Sequence, residues 1–143
     1  MAKYFTLKEL VESETATAKG IDNFPSFEIA AHLQELTETI LDPLREAWGG
    51  PLVINSGYRC EALNRAVGGS ATSAHMFGYA ADIRPTDSRR TAKFILFANS
   101  WLQENNIKFD QSIDEKSGDT KWLHISVRNG QGKQRCQFLS IHK

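Results

Sequence analysis

Trp122-Leu123-His124-Ile125-Ser126-Val127 alternates along its length, the period of a β-strand whose side chains point to opposite faces. Leu123, Ile125 and Val127 form the face a core would bury, which leaves Trp122, His124 and Ser126 on the other. A second face that presents an imidazole beside a large aromatic suits a cleft wall better than bulk water. A histidine satisfied by ordinary hydrogen bonds is the other reading. Two more strand patterns flank this one, Ile107 to Asp114 before it and Arg135 to Ile141 after it. Turn-forming Ser117-Gly118-Asp119 and Asn129-Gly130 separate the three, which predicts an antiparallel meander.

Upstream the pattern turns helical. Thr6-Leu7-Lys8-Glu9 has the Thr-x-x-Glu form of a capping box and predicts a short helix that ends before Gly20. From Ser26, Ile29, Leu33, Leu36, Ile40 and Leu44 recur at steps of three and four, a helix with one buried face that closes at Gly49-Gly50 and that Pro43 kinks or splits. Leu52-Val53-Ile54 reads as a strand and Cys60 to Arg65 as a helical turn stopped by Gly68-Gly69. Tyr79 to Ile83 is another strand. Asp87-Ser88 caps a helix whose Phe94, Ala98, Trp101 and Leu102 share a side, with Trp48 and Trp101 expected in the core. Helices come first and most strands last, so the predicted class is α+β, with N-terminal helices packed on a small antiparallel sheet.

The chain has 143 residues, 41% of them hydrophobic and 24% charged, so residues 1–143 are expected to form a single domain rather than a disordered or fibrous chain. Seventeen basic residues against seventeen acidic ones give no electrostatic reason to expect a nucleic-acid or anionic-membrane partner. No apolar run approaches the roughly 20 residues of a membrane span. The opening Met1-Ala2-Lys3-Tyr4-Phe5 lacks the apolar stretch of a signal peptide, so the chain is expected to be made in the cytoplasm; it is expected, separately, to be a monomer. Cys60 and Cys136 are too few for a disulfide framework and read as small reduced residues.

The chemistry concentrates in Ser73-Ala74-His75-Met76-Phe77-Gly78-Tyr79-Ala80-Ala81-Asp82. A loop histidine and a strand aspartate lie seven positions apart, Gly78 permits a tight reversal between them, and Ala80 shares a strand face with Asp82 and leaves it room. His124 makes a third ligand type. Two imidazoles and a carboxylate, with a fourth position left for water, are the donor set of a catalytic zinc site. An exposed His beside a strand-end Asp is the alternative. His32 and His142 have no partner at ligand spacing.

Ser73-x-His75-x-x-Gly78-x-Ala80-x-Asp82 followed by Trp122-x-His124 resembles the zinc D-Ala-D-Ala carboxypeptidase family, which includes phage endolysin peptidases. The resemblance runs on through Phe5-Thr6-x-x-Glu9-Leu10, Ile21-Asp22-Asn23-x-Pro25, Ser56-Gly57-Tyr58-Arg59, Asn64, Gly68-Gly69 and Phe109-Asp110-Gln111. It implies a fold shared with the hedgehog signalling domain, with the sheet carrying zinc. It implies further that His75, Asp82 and His124 hold the ion, that Arg59 contacts a substrate carbonyl or carboxylate, and that Ser73 either binds a peptide end or caps its loop. The implied reaction is hydrolysis of a peptide bond in the peptidoglycan stem by zinc-activated water, as a carboxypeptidase or an endopeptidase. Such a protein acts on the cell wall if it is released.

In that family an acid often stands three positions before the second zinc histidine, and here that position is Lys121. A Glu soon after the Phe-Asp-Gln motif is also common, which makes Glu115 the expected general base with Asp114 and Asp119 as competitors. A hairpin centred on Gly118 is expected to set Glu115 almost opposite Lys121, with its carboxylate in reach of the region the missing acid leaves, and an exposed Glu115–Lys121 pair without catalytic role is the other reading. Asp110 or Gln111 is a candidate for orienting a zinc ligand. The rival function is a zinc-containing binding module without turnover, motivated by Lys121 and by the hedgehog precedent.

Overall fold

Thr6 opens the first helix as its spacing requires: its hydroxyl accepts from the Glu9 N–H while the Glu9 carboxylate accepts from the Thr6 N–H. This is seen in a computed structural model that describes residues 3–143. The helix is short and ends before Gly20, as expected. It stops after one turn (α1, Leu7–Val11), and Ser13 caps a second helix (α2, Glu14–Lys19) that Gly20 closes in the left-handed region at φ 66°.

Ser26 caps α3 (Phe27–Leu36), and a π-helical turn (Thr37–Leu41) joins it to α4 (Asp42–Trp48). Leu41 and Asp42 are both right-handed helical, so the helix runs on from Phe27 to Trp48 and Pro43 stands inside it, just after the π turn. The extra residue of the π turn also shifts the helical phase, so Ile40 and Leu41 are both fully buried together with Leu33, Leu36 and Leu44.

The sheet has the order β1-β2-β4-β3-β5, formed by Leu52–Ser56, Ala80–Pro85, Thr120–Ser126, Gln111–Ser117 and Gln137–His142. The first three pairings are antiparallel, but β5 runs parallel to β3, which corrects the expected meander. The reason is steric: β2 and β3 occupy both edges of β4, so the chain leaving β4 must pass beyond β3. Having reversed direction relative to β4, it arrives parallel to β3. Ile107 to Asp110 lies outside β3, which begins at Gln111.

The α+β class holds, with the short α5 (Glu61–Ala66) following β1, and with α6 (Thr91–Glu104) entered through a 3-10 turn that Asp87 caps. Phe94, Ala98 and Leu102 of α6 pack in one core with Ile83, Leu123 and Ile125 of the sheet. Trp48 and Trp101 are only partly buried, at the margin of that core instead of within it. Among the described residues no helix is long and apolar enough to cross a membrane.

Side chains that alternate away from Ile83, Leu123 and Ile125 make the other face of the sheet, and pairing sorts them into rows. One row is Asp82–His124–Ile113–Leu139, and beside it runs Trp122–Glu115–Ile141. On the far side lies Ala80–Ser126–Gln111–Gln137.

Candidate metal centre

His75 sits on a 3-10 turn (Ala74–Phe77) capped by the Ser73 hydroxyl, which accepts from the His75 N–H at 3.2 Å. Gly78 ends the turn at φ 75°, and a Cβ there would lie 2.8 Å from the Ile29 carbonyl oxygen of α3. The turn therefore seats on α3 only because position 78 is glycine. Gly78→Ala is expected to lower stability by about 1–3 kcal/mol, read as a drop in melting temperature, and to weaken metal binding by shifting His75. A variant that melts with the parent and binds metal equally would contradict that seating. His32, which sequence spacing left without a role, helps hold the same turn: its Nδ1 bonds the Phe77 carbonyl at 2.6 Å and its ring stacks on Tyr79 at 4.1 Å.

Asp82 and His124 arrive from neighbouring strands as directly paired residues, so they share a face and a row. His75 Nε2 and His124 Nδ1 lie 3.2 and 3.0 Å from the same Asp82 oxygen, Oδ1. These separations approach the about 3.4 Å edge of a tetrahedron with metal bonds of 2.0–2.1 Å. The chemistry of the three atoms makes the same point. His75 Nδ1 lies 2.7 Å from the Gly57 carbonyl, which only accepts, so this nitrogen carries the proton. In the neutral ring Nε2 then presents a lone pair to a carboxylate oxygen, two acceptors face to face. A cation between them resolves the conflict.

Electrostatics favour that neutral ring. Burial pushes the His75 pKa below the ordinary imidazole range, although Asp82 opposes it. Burial also acts on Asp82 and would raise it, but His75 and His124 outweigh burial and hold the carboxyl well below the usual range. For His124 burial again opposes charge, and the hydrogen bond and charge of Asp82 prevail to lift its pKa. Thus a carboxylate and a buried neutral imidazole stand ready beside His124.

The three side chains open into a cleft of about 620 Å³ that Arg59, Ser73 and Glu115 also line. Burial lowers the Arg59 pKa against the pull of Asp82 and Glu115, and the guanidinium remains a cation whose Nε finds no partner among the described residues. Asn23 fixes the segment that carries it, donating to the carbonyls of Val11 and Tyr58 and accepting from the Cys60 N–H.

The hairpin brings Glu115 next to, not onto, Lys121. Glu115 faces Trp122, and Lys121 faces Lys116. Lys121 instead reaches Asp114 at 2.8 Å, on the face opposite His124, and His142 joins the same carboxylate at 3.3 Å. Asp119 is exposed in the turn. Of the three competing acids, Glu115 alone shares the row geometry of the metal face. Asp110 and Gln111 do not touch the ligands: buried Asp110 is gripped twice by Arg135, at 2.8 Å each, and Gln111 bonds Gln137. The acceptor that orients His75 is the Gly57 backbone, which no side-chain motif could reveal.

One curated relative, a zinc D-Ala-D-Ala carboxypeptidase of Streptomyces albus G, is 43% identical over 44 residues. That stretch is 30% of this chain and 17% of the relative, so the chain covers only about a sixth of that protein's length. The sequence profile of the Peptidase M15 family matches residues 3–125, a span that holds Arg59, His75, Asp82, Glu115 and His124. The match takes in most of the chain, and the protein belongs to the Peptidase M15 family.

Proposed function

We propose that the protein is a zinc metallopeptidase that cuts a peptide bond in the peptidoglycan stem peptide, with His75, Asp82 and His124 as the metal ligands. The observation that carries this reading is the convergence of two imidazole nitrogens on Asp82 Oδ1, with His75 Nδ1 already committed to Gly57. Zinc held there would polarise the scissile carbonyl and acidify a water molecule. The remaining work falls to this chain's side chains. Glu115 takes the proton of the attacking water and returns it to the leaving amine. Arg59 sets a fixed positive charge beside the oxygen, carbonyl or carboxylate, that the substrate brings into the cleft. Ser73 spends one lone pair on the His75 N–H and keeps its O–H to donate to a peptide end.

Lys121, where many enzymes resembling this one carry an acid, favours a second reading, a metal-binding module without turnover. Its ammonium is engaged by Asp114 behind the sheet, on the face away from Glu115 and the cleft. Incubation with stem peptides ending in D-Ala-D-Ala, followed by mass measurement, separates the two. Two products whose masses sum to substrate plus one water support the peptidase, and the cut position distinguishes release of terminal D-Ala from internal cleavage. Unchanged peptide with zinc bound supports the module.

The Arg59 role makes its own prediction. Arg59→Lys keeps the charge and loses the planar fork, so kcat/KM is expected to fall about 10²-fold with zinc content unchanged. Equal efficiency in the variant would remove Arg59 from the mechanism.

A further inference from the structure

The metal turn fixes Arg59 at its backbone, where the N–H donates to the His75 carbonyl at 3.1 Å. The side chain is another matter, because its Nε has no partner among the described residues. An arginine acts as a fixed charge only when its long, flexible stem is restrained. The loop after α5 supplies that restraint by contact. Asn64 of α5 is 2% exposed and clamps the loop twice: its backbone carbonyl accepts from the Gly69 N–H and its Nδ2 donates to the Ser70 carbonyl, each at 2.9 Å. Its Oδ1 is buried and receives no hydrogen bond from a described residue. Gly69 lines the same cleft as Arg59. A Cβ at Gly69 would lie 2.1 Å from Asn64 Oδ1 and 3.2 Å from Arg59 Nη1. Gly68 needs its glycine for a φ of 73°, whereas Gly69 lies outside the left-handed region, so close approach is what position 69 demands.

The space beside Gly69 is thus bordered by an amide oxygen on one hand and a guanidinium on the other. That oxygen is the negative end of the amide dipole, and a cation near it is favoured. We propose that Gly69 and Asn64 are positioning residues for Arg59: Gly69 leaves the space in which the guanidinium lies against the loop, and Asn64 Oδ1 supplies the dipole that keeps it there. The catalytic consequence rests on the peptidase reading, but the hold on the guanidinium is measurable without turnover.

The test uses zinc-loaded protein labelled with nitrogen-15 in arginine, in which the Arg59 Nε–Hε signal is identified by its loss in Arg59→Lys. The heteronuclear NOE of that signal is expected to be that of a rigid group in the wild type and to fall in Gly69→Ala and in Asn64→Ala. Zinc affinity is expected to change less than about twofold in Gly69→Ala, because His75 keeps its bonds to Ser73 and Gly57. On a stem peptide ending in D-Ala-D-Ala, Gly69→Ala is expected to lower kcat/KM about tenfold, but less than about twofold when added to Arg59→Lys, which has no guanidinium to displace. A mobile signal in the wild type, or one that stays rigid in Gly69→Ala, overturns the proposal. So does an equal loss of kcat/KM in the two backgrounds, or a zinc affinity that falls in step with it, since either would mean that the substitution disturbs the site as a whole. A signal that stays rigid in a folded Asn64→Ala removes Asn64 from the seat. A wild type that cleaves no peptide, with the signal rigid and then loosened in Gly69→Ala, supports the positioning and sinks the peptidase.

Discussion

Glu115→Gln is expected to lower the hydrolytic rate by about 10²–10⁴-fold while zinc remains bound, the usual contribution of a general base. The substitution keeps the shape of the side chain and removes its ability to take a proton. Its position supports the assignment, because Glu115 pairs with Trp122 and sits one row from the Asp82–His124 pair. Asp114→Asn is the matched control. That carboxylate holds Lys121 and His142 behind the sheet, so its loss is expected to change stability modestly and rate little. A large rate loss in Asp114→Asn, with none in Glu115→Gln, would move the base across the sheet and contradict the register argument.

The second large effect concerns the metal. His75→Ala is expected to lower zinc affinity by well over the about 10–100-fold that loss of a supporting hydrogen bond costs, and to abolish hydrolysis with it. His32→Ala removes only the bond to Phe77 and the stack on Tyr79, so its effect is expected to stay within or below that range. Zinc titration of both variants, with melting curves as a check on folding, measures the ratio. Comparable losses in the two would mean that the turn, and not the imidazole of His75, sets the affinity.

Much of the fold was legible because the local signals were strong. The Thr6–Glu9 box, the Ser26 cap, the apolar periodicity to Leu44 and the Trp122–Val127 alternation each specify backbone geometry over a few residues. The course of β5 was not legible. Asn129-Gly130 announces a reversal, but whether the returning strand lies beside β4 or beyond β3 depends on which edges of β4 are already paired. The same limit applies to the site. His75, Asp82 and His124 stood out by residue type and alternation, and the fold brings their ligand atoms within 4.8 Å of one another. The pairing of Lys121 with Asp114 was missed because Lys121 and Glu115, one step apart in the hairpin, point to opposite faces of the sheet. The Gly57 carbonyl and the His32 contact left no trace in side-chain spacing, since both are hydrogen bonds to backbone.

The central claim is that one ion held by His75, Asp82 and His124 supports peptide hydrolysis. Its most direct test is to strip the protein with a chelator and return zinc in steps, following bound metal and cleavage of a D-Ala-D-Ala stem peptide in the same samples. Activity is expected to rise in proportion to bound zinc and to level off at one ion per chain. Saturation with zinc and no cleavage, or cleavage in the fully stripped protein, would contradict the claim.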